Sequence, residues 1–89
     1  MRVVIGLPGR ELTIADDDAR WLLAELASGA ELAAALAPRI EDASAAGRAF
    51  RPTDGETRTI FQIFERSARP RTRQLRGLEV ALHEAIFRR

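Results

Sequence analysis

The stretch GRELTIADDDARWLL at residues 9–23 is echoed later in the chain by GRAFRPTDGETRTIF at residues 47–61. A Gly, an Arg, an Asp and a second Arg recur at a constant offset. Apolar positions recur in type, such as Leu12 with Phe50 and Leu22 with Ile60. Because a repeated sequence unit implies a repeated structural unit, the pattern predicts an internal strand–helix–helix duplication.

The first copy is preceded by a run of strand-forming residues, so residues 2–14 are predicted to form a β-hairpin. The run contains Val3, Val4 and Ile5, which favour a strand. Between the two strands, Pro8 and Gly9 occupy the second and third positions of a turn, which is the chemistry of a type II turn. In the second copy a short strand is predicted over residues 48–52, where a proline suits the strand end.

Helices are predicted over about residues 16–28, 30–46, 54–68 and 72–87. Asp16 can cap the first helix, and Thr53 with Glu56 has the spacing of a capping box at the start of the third. The inward stripe of the fourth helix has the 3,4,4 spacing of an amphipathic helix: Leu75, Leu78, Leu82 and Ile86. The predicted fold is therefore α+β, with a small antiparallel sheet, made of the hairpin and one short strand, packed against about four helices.

The composition is that of one small folded domain covering residues 1–89. The chain has no Cys, so neither a disulfide nor a Cys-ligated metal can support its small core. Oligomerisation is then the commonest remaining support. No apolar run approaches the roughly 18–20 residues of a membrane span, and the first residues do not resemble a signal peptide. We therefore expect a cytoplasmic protein without a membrane partner.

Charge is distributed unevenly along the chain. Residues 1–47 contain four Arg and eight acids, a net charge of −4, whereas residues 48–89 contain ten Arg and five acids, a net charge of +5. The basic residues are densest in one acid-free segment, which contains Arg66, Arg69, Arg71, Arg73 and Arg76. This arginine segment is a candidate contact for an anion or a nucleic acid. Solvent, or an acidic protein surface, could equally face it.

Motifs for catalysis, metal binding or cofactor binding are missing from the sequence. Asp16, Asp17 and Asp18 are consecutive at a helix start, so their side chains diverge by about 100° each and do not converge on one ion. His83 is the only His, and although Glu79 and Glu84 lie near it in sequence, no nucleophile motif accompanies it. The sequence therefore predicts a non-enzymatic protein with no catalytic residue, no metal and no cofactor.

Three large apolar residues lie off the inward stripes of their helices: Trp21, Val80 and Phe87. Trp21 is matched in the second copy by the polar Thr59, so the repeated core does not require it. Several off-stripe apolar residues together indicate a second buried surface, which could be formed with the sheet of the same molecule, with a second copy or with another protein. These three residues are therefore candidate interface residues, and the predicted function is a protein–protein interaction module that forms a homodimer. The alternative is a nucleic-acid-binding accessory protein that uses the arginine segment.

Overall fold

A two-stranded antiparallel hairpin and four helices make up the protein in a computed structural model that describes residues 1–88. The elements, in chain order, are β1 Arg2–Leu7, β2 Arg10–Ala15, α1 Asp16–Ala27, α2 Glu31–Ala45, α3 Asp54–Arg66 and α4 Arg73–Phe87. The predicted α+β class, the hairpin and the four helices are confirmed.

The hairpin is closed by a two-residue turn between Leu7 and Arg10, which pair across the strands. Gly9 in this turn has φ of 82°, the value that the third position of a type II turn requires. Because side chains alternate along a strand, Val3, Ile5 and Ile14 are buried on the inner side against the helices. The hairpin thus forms one wall of the hydrophobic core.

The third strand predicted over residues 48–52 is not formed. Phe50 alone bridges β1, in the parallel direction, through hydrogen bonds from its N–H to the Val4 carbonyl and from the Gly6 N–H to its own carbonyl, both 2.8 Å. Pro52 cannot donate the next bond of a parallel ladder because it has no N–H. On the N-terminal side of Phe50, the Ser44 hydroxyl donates a hydrogen bond to the Arg2 carbonyl. That carbonyl is then occupied, so the parallel ladder stops at one residue.

The internal duplication is likewise not seen within residues 1–88. Leu12 pairs with Ile5 in the antiparallel hairpin, whereas the matched Phe50 bridges Ile5 in parallel. The two copies therefore run in opposite directions past β1. What the copies share is local: Asp16 and Asp54 each begin a helix.

The start of α1 differs from the expected cap. Ala15 occupies the N-cap position, and Asp16 makes no capping bond to the helix. Instead the Asp16 N–H donates to the Met1 carbonyl at 2.8 Å, and Asp16 adopts φ of 53°. Aspartate tolerates this left-handed conformation better than most residues, so β2 can turn into α1 without a loop.

The helices bury the stripes that the spacing predicts, including Leu22 in α1, Ile60 in α3 and Leu82 in α4. The capping box of α3 is complete, because Thr53 Oγ1 accepts from the Glu56 N–H and Glu56 Oε1 accepts from the Thr53 N–H at 2.9 Å. That backbone hydrogen bond, with help from Arg39, lowers the pKa of Glu56. The ionised form of Glu56 is therefore favoured at the start of α3.

Candidate protein-interaction face

The outward side of α4 exposes two large apolar side chains. Val80 is 47% exposed and Phe87 is 61% exposed. Their positions follow from the helical period, because Leu78 and Leu82 are buried on the opposite side of the same helix. Two of the three sequence-predicted interface residues therefore lie together at the surface.

An aromatic side chain from α3 extends this surface. The ring of Phe61 lies 6.2 Å from that of Phe87 in a T-shaped arrangement and 5.9 Å from the imidazole of His83. His83 and Phe87 are 4.7 Å apart, within the range of attractive aromatic pairs. Phe61, Val80, His83 and Phe87 are called the aromatic face below. Phe61, Val80 and His83 also line an open groove, which is edged by Glu79, Glu84 and Arg88.

Trp21 does not belong to the aromatic face. Its ring packs edge-on against Phe64 at 5.6 Å, and the guanidinium of Arg69 lies 5.5 Å from its centre. A cation over an indole ring is a favourable contact that also covers the ring. The off-stripe position of Trp21 is therefore used for packing between α1 and the end of α3.

Arg71 is the least exposed member of the arginine segment, and its guanidinium is held inside the fold. It donates to the Phe64 carbonyl at 2.6 Å, to the Ser67 carbonyl at 3.3 Å and to the Arg69 carbonyl. It also forms an ion pair with Glu79 at 3.2 Å. The last carbonyls of a helix lack intrahelical partners, and Arg71 donates to two carbonyls at this end of α3, those of Phe64 and of the C-cap residue Ser67. The Arg71 guanidinium thus links the end of α3 to Glu79 in α4.

The three remaining members of the arginine segment face solvent. Arg66, Arg73 and Arg76 are exposed, and their side chains make no ion pair or hydrogen bond to any residue between 1 and 88. Arg76 precedes Val80 by one helical turn, so it borders the aromatic face. The arginine segment therefore contains three kinds of side chain. Arg71 is bound inside the fold, Arg69 covers Trp21, and the other three face solvent.

The three consecutive aspartates contact three different partners. Asp16 lies 3.7 Å from the amino terminus, and Asp17 forms an ion pair with Arg20 at 2.6 Å. The hydrogen bond from Arg20 lowers the pKa of Asp17. Asp18 is buried and accepts a hydrogen bond of 2.7 Å from the Thr72 hydroxyl. Within residues 1–88, no group of three or more potential metal ligands comes together.

Two surface residues escape prediction from the sequence. Phe61 follows the buried Ile60 directly in α3, but it is only partly buried. One step along a helix turns about 100°, so a residue next to Ile60 lies at the edge of the stripe, and this signal could have identified it. Leu32, which is 75% exposed at the start of α2, gives no such signal.

Among the described residues, no helix has both the length and the apolar character needed to cross a membrane. No known protein family, curated protein or solved structure matches the chain.

Proposed function

We propose that this protein is a small non-enzymatic protein–protein interaction module that forms a homodimer through the aromatic face. The observation that carries the proposal is the exposure of Val80 and Phe87 beside Phe61 and His83. Contiguous apolar patches with a polar rim mark interaction sites, and aromatic residues are enriched at interface centres.

A second copy is the partner that the surface and the composition support. The chain is small and has no Cys, so association is the remaining way to enlarge its core. The border of the aromatic face carries both signs of charge, with Arg76 and Arg88 on one hand and Glu84 on the other. Such a border can complement itself across a two-fold axis.

Changing Phe87 to glutamate should weaken the homodimer by about 30-fold or more, because it places a charge within the apolar part of the interface. Sedimentation equilibrium of the wild type and Phe87→Glu measures this directly. Leu32→Glu is the matched control, since it changes an exposed leucine outside the aromatic face, and it should leave association unchanged. A wild type that stays monomeric at the highest attainable concentration would remove the proposal.

Nucleic-acid binding is the second candidate, and the free side chains of Arg66, Arg73 and Arg76 favour it. Changing all three to glutamine should weaken salt-dependent binding to a DNA duplex or to single-stranded RNA. The salt slope should fall by roughly 1 for each phosphate that the variant no longer neutralises. Arg58→Gln, an exposed arginine outside the segment, is the control. If the wild type shows no binding at about 50 mM salt, this candidate is excluded.

A further inference from the structure

One row of side chains on the outward side of α4 has opposite charges at its two ends. Arg76, Val80 and Glu84 follow one another at intervals of four residues, so they form a single ridge on the helix surface. In chain order, the ridge is basic, then apolar, then acidic. An antiparallel copy of the same ridge is acidic, then apolar, then basic.

We infer that the second copy docks antiparallel on α4, with Val80 on the two-fold axis and Arg76 of each copy opposite Glu84 of the partner subunit. This inference rests on the proposed homodimer and specifies its geometry. In an interface around a two-fold axis, every contact that lies off the axis occurs twice. The arrangement therefore creates two ion pairs around one central Val80–Val80 contact.

Arg76 is exposed and Glu84 is partly exposed, so both charged groups can contact a second copy. Neither Arg76 nor Glu84 makes an ion pair or a side-chain hydrogen bond to any residue in the described range 1–88. In contrast, Glu79 near the aromatic face is held by Arg71. Arg76 and Glu84 thus need no rearrangement of the fold before they contact a second copy.

The surface beside the ridge leaves room for a second helix. With Val80 on the axis, the two ridges face each other in opposite directions, and each Arg76 lies level with Glu84 of the partner subunit. Gly77 lies beside the ridge, and open space surrounds the position that its Cβ would take. The two helices can therefore approach closely at the centre of the contact.

A parallel arrangement of the same two helices is disfavoured by charge. It would place Arg76 opposite Arg76 of the partner subunit, and Glu84 opposite Glu84 of the partner subunit. Like charges brought face to face repel, and such juxtaposition is a common basis for rejecting wrong partners and wrong orientations. The order of charges along the ridge therefore selects the antiparallel direction.

The test exchanges charges between copies. Arg76→Glu alone and Glu84→Arg alone each convert both ion pairs of the homodimer into repulsive pairs. Each variant alone should raise the dimer Kd by about 10- to 30-fold. An equimolar mixture of the two variants can form a heterodimer in which both ends of the ridge attract. At one end, the substituted position 76 of the first variant faces the substituted position 84 of the second. At the other end, the native Glu84 of the first faces the native Arg76 of the second. Sedimentation equilibrium should then give a Kd within about threefold of the wild type.

The outcomes separate the geometry from the proposed function. If the wild type dimerises but the mixture associates no better than the single variants, the antiparallel register is wrong while the dimer stands. If the wild type is a monomer, the proposed function itself fails. Weakening in each single variant, followed by recovery in the mixture, supports both. Recovery in the mixture without any weakening in the single variants would mean that the copies dock in parallel, and the antiparallel register would then be wrong. Thermal unfolding of each variant by circular dichroism verifies that the folded chain is intact, as expected for side chains that have no partner among residues 1–88.

Discussion

Changing Arg71 to alanine should lower the free energy of unfolding by about 2–4 kcal/mol, because it removes a guanidinium that is hydrogen-bonded on several sides. The Arg71 side chain is only 13% exposed, and it donates to the Phe64 and Ser67 carbonyls while pairing with Glu79. Without it, the carbonyls at the end of α3 and the Glu79 carboxylate lose their charged partner. Urea unfolding at one fixed protein concentration measures the change in stability.

Two further variants make this expectation specific to the fork of Arg71. Arg71→Lys keeps the charge but cannot reach several acceptors in one plane, so its stability should fall between those of the wild type and Arg71→Ala. Arg73→Ala removes an exposed arginine without an internal partner among residues 1–88 and should change stability by no more than about 0.5 kcal/mol. If Arg71→Ala is as stable as Arg73→Ala, Arg71 is not a clamp between α3 and α4.

Local sequence patterns determined the elements that the sequence could predict. The turn at Pro8 and Gly9 needs only the conformational preferences of those two residues, and Gly9 has the required positive φ. The capping box of Thr53 and Glu56 is also a contact within four residues, and both of its hydrogen bonds are present. Patterns of this kind specify where a hairpin or a helix begins without reference to the rest of the fold.

The features that the sequence could not predict depend on contacts between distant residues. The strand predicted at 48–52 is reduced to a single bridge at Phe50 because the Ser44 hydroxyl donates a hydrogen bond to the Arg2 carbonyl. These two residues are 42 positions apart in sequence. Asp16 does not cap α1, and its N–H instead donates a hydrogen bond to the carbonyl of Met1. In each case a partner brought close by the folded chain competes with the local preference.

The same limit applies to the candidate site. Val80 and Phe87 lie off the inward stripe in sequence and are both exposed in the fold, since helical periodicity decides which side of α4 they occupy. The partners of Trp21 and Arg71 depend instead on how α1, α3 and α4 pack, and no periodicity encodes that. The arginine segment therefore looks uniform in sequence, although Arg71 has a structural environment that differs from that of Arg73.

Changing Thr72 to valine should lower the free energy of unfolding by about 2–3 kcal/mol, because one hydroxyl serves two elements. Thr72 Oγ1 accepts from the Leu75 N–H at the start of α4 and donates to Asp18 Oδ2 at 2.7 Å. Loss of an N-cap costs about 1 kcal/mol. Loss of the donor to a buried carboxylate costs about 1–2 kcal/mol more. Urea unfolding at a fixed protein concentration again gives the value.

Thr72→Ser is the matched control, because it keeps the hydroxyl that caps α4 and contacts Asp18, and its stability should stay within about 0.5 kcal/mol of the wild type. A double-mutant cycle of Thr72→Val with Asp18→Ala isolates the contact between the two helix starts, with an expected coupling of about 1 kcal/mol. Asp18 is buried at the first turn of α1, so removal of the Thr72 hydroxyl leaves a buried carboxylate oxygen without this hydrogen bond. Strict additivity of the two changes would mean that the hydroxyl acts only as the cap of α4, and that its hydrogen bond to Asp18 adds no stability.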